Sequence, residues 1–73
     1  MNYSSIAFEN LRVEMARENL GIGQMAKALH IGRDTLSRKL SKRSPLYLDE
    51  AFQIRDCFFS SCGIEYLFGT QTD

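Results

Sequence analysis

The apolar residues of this chain never run together for long. They recur three and four positions apart in five short clusters, separated by glycine, asparagine, serine or proline. That spacing puts apolar side chains on one side of a helix with roughly 3.6 residues per turn. No stretch alternates apolar and polar residues long enough to predict a strand. The expected class is therefore all-α, a compact bundle of about five short helices. With 73 residues, such a chain buries only about 60–65% of its unfolded surface, which suffices for one modest core. A single domain over 1–73 is expected, with 1–4 and 70–73 frayed.

The first predicted helix covers about 5–18, with Phe8, Leu11 and Met15 inward. Ser4 or Ser5 is its expected cap and Asn19 its stop, since asparagine tolerates the left-handed conformation. The second covers 22–29, with Met25, Ala26 and Leu29 inward and Gly21 as N-cap. A tight turn, His30-Ile31-Gly32, follows. His30 is expected at positive φ, where His, Asn and Asp are the enriched alternatives to glycine, and Ile31 is expected to point into the core. The third helix covers 33–40, with Leu36 and Leu40 inward. The fourth covers about 48–59, along Leu48, Ala51, Ile54 and Phe58, with Asp49 and Glu50 favourably placed in its first turn. A short fifth covers 64–68 and ends at Gly69.

Net charge is zero, but its distribution is uneven. Lys27, Arg33, Arg38, Lys39, Lys42 and Arg43 share one segment with a single acid, Asp34, giving +5; the remainder carries −5. Such segregation makes a dipolar surface with one side suited to a polyanion. A solvated basic helix face is the plainer alternative. Cys57 and Cys62 are the only cysteines and His30 the only histidine. Two free thiols are expected, a disulfide is the minor alternative, and no metal site or cofactor is expected. No apolar run approaches the roughly 20 residues of a membrane span, and Met1 to Ser5 has no secretory pattern, so a cytoplasmic location is expected.

The centre of the chain carries the functional signal: two short helices joined by a tight turn, the second of them basic. Residues 20–40 resemble the helix-turn-helix of the Cro/phage-repressor (lambda repressor-like) family. Met25, Ala26, Leu29, Ile31, Thr35, Leu36, Ser37 and Arg38 match its pattern. The likeness extends over about sixty residues, from Phe8 to Phe68. Three departures stand out. Ile22 replaces a frequent glutamine that clamps a phosphate, His30 replaces the usual turn glycine, and Gly32 replaces a serine or threonine cap.

The resemblance implies a lambda repressor-like fold and a sequence-specific regulator of phage or prophage type. It would insert helix 33–40 in the major groove of double-stranded DNA. The family's base-reading positions fall on Arg33, Asp34, Ser37 and Arg38. Arginine suits guanine O6 and N7, and Asp34 suits a cytosine amino group. Asp34 can instead serve as a first-turn acid, and Arg38 can instead pair with Glu14 or Glu18. Phosphate contacts are expected from Thr35, Ser41, Lys42, Arg43 and the backbone of Ile22 and Gly23, with Lys39 peripheral. An operator of two half-sites implies a homodimer, at least on DNA, formed through the last helices, with Phe59, Tyr66 and the tail as candidates; Phe59 can instead simply complete the core. No small-molecule substrate is expected. A protein–protein interaction module that kept the shape without DNA binding is the alternative. An enzyme is not expected: no nucleophile has a matched base, and Gly21-x-Gly23 lacks the strand and third glycine of a dinucleotide site.

Overall fold

Five helices account for most of the computed structural model, which describes residues 6–69: α1 (Glu9–Glu18), α2 (Ile22–Leu29), α3 (Arg33–Leu40), α4 (Leu48–Phe58) and α5 (Ile64–Phe68). There is no strand among the described residues. The radius of gyration is 11.1 Å, close to the about 11 Å expected of a compact domain of this length. The core gathers Ile6, Leu11, Met15, Met25, Ala26, Leu36, Leu40, Ile54, Phe59 and Leu67, with Phe8, Leu20, Ile22, Leu29 and Phe68 packed around it. Every helix thus contributes a residue to one apolar centre.

Helix α1 begins later than its periodicity predicts. Ile6 is buried in the core and the Ala7 amide donates to the Leu40 carbonyl at 2.8 Å. These contacts hold the chain across the end of α3 in extended form, and Phe8 is the N-cap without a side-chain bond. The expected caps Ser4 and Ser5, and the expected frayed ends, lie outside the described residues.

The two turns that set α1, α2 and α3 in sequence use the same motif. Asn19 (φ 57°) and His30 (φ 61°) adopt the left-handed conformation. Each donates its amide to a carbonyl three residues back, and the following residue reaches five back: Leu20 to Met15 at 2.8 Å and Ile31 to Ala26 at 3.0 Å. This pair of bonds satisfies carbonyls that the helix end leaves free. Because a side chain is strained at positive φ, His30→Gly is expected to raise stability by about 0.5–1 kcal/mol. Urea unfolding with an unchanged slope measures it; a lower midpoint would contradict the turn assignment.

Two side chains, Leu48 and Ile31, depart from expectation, and Phe59 takes the second of its two expected roles. Leu48 is 69% exposed. Steps of three residues fall about 60° short of a full turn, so the stripe through Ala51, Ile54 and Phe58 rotates away from Leu48. Phe59, by contrast, is only 4% exposed. It ends α4 with φ −136° and ψ 51°, and leaving the helix turns its ring inward, while Phe58 is half-buried. Phe59 therefore completes the core and offers no surface to a second subunit. Ile31 remains exposed instead of entering the core. It lies at the rim of a small cavity lined also by Leu29, Leu36, Leu46 and Ile54.

Helix α5 is held against α1. Phe8 and Phe68 meet edge to face with centroids 5.2 Å apart, and Asn10 Nδ2 donates to the Tyr66 carbonyl at 2.9 Å. The Tyr66 hydroxyl donates to Glu14 Oε2 at 2.7 Å. Glu14 is a buried carboxylate, and Arg17 stands 3.9 Å from its other oxygen. The bond to Glu14 holds the Tyr66 phenol above its usual range. Its contribution is complete below about pH 10, where tyrosine in the unfolded chain is neutral, and is lost as pH rises through the elevated folded-state value. Tyr66→Phe is expected to reduce the loss of stability as pH rises from about 10 upward. Equal losses in both proteins, followed by urea unfolding, would refute this.

Candidate nucleic-acid interface

Helix α3 is amphipathic in the sense the sequence predicts. Leu36 and Leu40 are buried, while Arg33, Asp34, Thr35 and Arg38 are exposed and Ser37 is half-buried. Leu36 and Leu40 share a face because four residues make about one turn, which leaves Asp34 and Arg38 together on the opposite side. Gly32 caps the helix without a side-chain bond, and Asp34 occupies its first turn, where a carboxylate is favoured by the dipole.

Arg38 takes part in no ion pair among the described residues. Glu14, one of its two expected alternative partners, is engaged by Tyr66 and Arg17. Arg33, Lys27, Lys42 and Arg43 are likewise in no ion pair among the described residues; the pairs found are Arg17–Glu14, Lys39–Glu50 and Arg55–Asp56. An exposed guanidinium without a protein carboxylate keeps its donors for an outside acceptor.

Arg33 also connects α3 to the start of α2. Its Nε and Cδ lie 3.6 and 3.7 Å from where a Cβ on Gly23 would sit, so the side chain rests over that glycine. Helix α2 has no acid in its first turn. Its N-cap amide, Gly21, donates to Gln24 Oε1 at 2.8 Å. Ile22 is half-buried and Gly23 exposed. The positive end of the α2 dipole and the Arg33 guanidinium thus share one location, where an anion would meet both.

The loop after α3 carries the remaining cations at the C-terminal end of that helix. The Arg38 carbonyl accepts the Arg43 and Ser44 amides at 2.9 and 3.1 Å and the Ser41 hydroxyl at 3.2 Å. Arg43 Nε donates to Ser41 Oγ at 2.9 Å. Lys42 adopts positive φ, 66°, and its ammonium lies 4.9 Å from the Phe8 ring centroid. Arg43 and Lys42 are exposed and Ser41 is half-buried.

Lys39 stands apart from the other candidates. Its ammonium bonds to Glu50 Oε1 at 3.1 Å and the Pro45 carbonyl at 3.2 Å, and lies 5.2 Å from the Tyr47 ring centroid. Its side chain is only 15% exposed. Sequence spacing within α3 does not reveal this, because Glu50 is eleven residues away on another helix.

Cys57 is exposed, Cys62 is half-buried, and both are free. No helix among the described residues is long and apolar enough to cross a membrane. The fold and its charge arrangement define a small five-helix bundle with an exposed basic third helix. No family model, curated protein or solved structure matches the chain.

Proposed function

We propose that this chain is a sequence-specific double-stranded DNA-binding regulator of the Cro/phage-repressor type, working in the cytoplasm. Helix α3 enters the major groove. Arg38, Asp34, Ser37 and Arg33 face base edges, while Thr35, Ser41, Lys42, Arg43 and the first turn of α2 at Ile22 and Gly23 meet phosphates. The observation that carries this reading is the outer face of α3. Arg38 and Arg33 are exposed and lack carboxylate partners among the described residues, on a helix anchored from behind by Leu36 and Leu40.

The reading includes a homodimer on DNA. Two half-sites would require the two α3 helices to lie one DNA turn, about 34 Å, apart. The last helices remain the candidate contact, through Tyr66 and without Phe59.

A selection from a random duplex pool, followed by binding across a salt series, tests the reading. Enrichment of a site with two half-sites, and steep weakening with salt from about 4–6 phosphate contacts per subunit, is expected. A protein-interaction module is the second reading, favoured by the exposed Tyr47, Leu48 and Phe52 and by zero net charge. Absence of any binding to mixed-sequence DNA at low salt would decide for it.

A further inference from the structure

We propose that Lys39 is a positioning residue: with Glu50 it braces the 41–47 loop so that Lys42 and Arg43 are held beside α3. Its consequence for affinity rests on the DNA-binding reading above, whereas its effect on the loop does not.

The loop is fastened at two places. At its start, the Arg38 carbonyl takes the Arg43 and Ser44 amides. At its end, Glu50 Oε1 accepts both the Lys39 ammonium at 3.1 Å and the Tyr47 amide at 2.9 Å. Lys39 spans from one fastening to the other, because it also donates to the Pro45 carbonyl at 3.2 Å. Two of its three ammonium protons are thus used within the protein, and the ring of Tyr47 flanks it. A phosphate would have to break bonds that are already made to reach it.

Lys42, at φ 66°, ends α3 with the same pair of bonds as Asn19 and His30: its amide donates to the Lys39 carbonyl at 3.3 Å and that of Arg43 to the Arg38 carbonyl at 2.9 Å. The Lys39 and Glu50 bonds hold the other end of the loop, at Pro45 and Tyr47. The side chains of Lys42 and Arg43 then leave the loop from a fixed backbone, so less order has to be imposed when a ligand binds.

Two variants, Lys39→Met and Glu50→Gln, test the brace. In the free protein, backbone hydrogen exchange at Arg43, Ser44 and Tyr47 is expected to quicken about fivefold or more, with Met15 and Ile54 unchanged. On mixed-sequence duplex DNA, both variants are expected to bind about fivefold more weakly with the wild-type salt slope, whereas Lys42→Ala lowers that slope by about 1. Glu50→Gln removes a negative charge, so weaker binding opposes its simple electrostatic effect. Unchanged loop exchange overturns the brace whether or not DNA binds. So does a lowered slope in Lys39→Met, or tighter binding by Glu50→Gln. Faster loop exchange in a protein that ignores DNA upholds the brace and removes the DNA-binding reading alone.

Discussion

Arg38→Ala is expected to lose discrimination at one base pair of the preferred site by about 1–3 kcal/mol, roughly 5- to 150-fold. Arg38 projects from the side of α3 opposite Leu36 and Leu40, and the structure gives it no carboxylate partner among the described residues. Removing it therefore sacrifices little inside the protein. Affinity for unrelated sequence should fall only by the share of one charge. Competition between the selected site and its single-base variants measures the difference. Arg33→Ala should relax a second position and also weaken binding generally, since Arg33 lies over Gly23 at the start of α2. Loss of affinity without any change in base preference in both variants would show that these arginines only meet phosphates.

Leu36→Ala is expected to destabilise the fold by about 2–5 kcal/mol. A domain of this length has only roughly 4–11 kcal/mol in total, so the variant sits near the limit of folding. Leu36 is buried in the shared core, and shortening it leaves a void beneath the helix that carries Arg33 and Arg38. Lys27→Ala, at an exposed site on α2, should change stability by less than about 0.5 kcal/mol. Denaturant unfolding of both variants provides the comparison. A small loss in Leu36→Ala would mean that α3 is not anchored through this face.

Much of the arrangement was readable from the sequence because it follows from local rules. The spacing of Met25, Ala26, Leu29, Leu36 and Leu40, with Gly21 and Gly32 just before the first turns, marks α2 and α3 at the bounds observed. Asn19 and His30 at positive φ answer to the same local chemistry. Tertiary contacts decide what local rules miss. The bond from Ala7 to Leu40 delays α1, and the turn at Phe59 decides between exposure and the core for that ring. For the candidate interface, exposure of Arg33, Asp34 and Arg38 follows from helical phase. The engagement of Lys39 depends on where α4 returns, which phase within α3 cannot tell. Glu14 likewise reads as a surface acid until Tyr66 arrives from α5.

The proposed role of α3 is tested most directly by following backbone amide resonances while mixed-sequence duplex DNA is added at low salt. The largest shifts are expected across 33–38 and 41–43 and at the first turn of α2, fading as salt is raised. Undisturbed resonances in that region, or shifts centred on Leu48 and Phe52 instead, would contradict it.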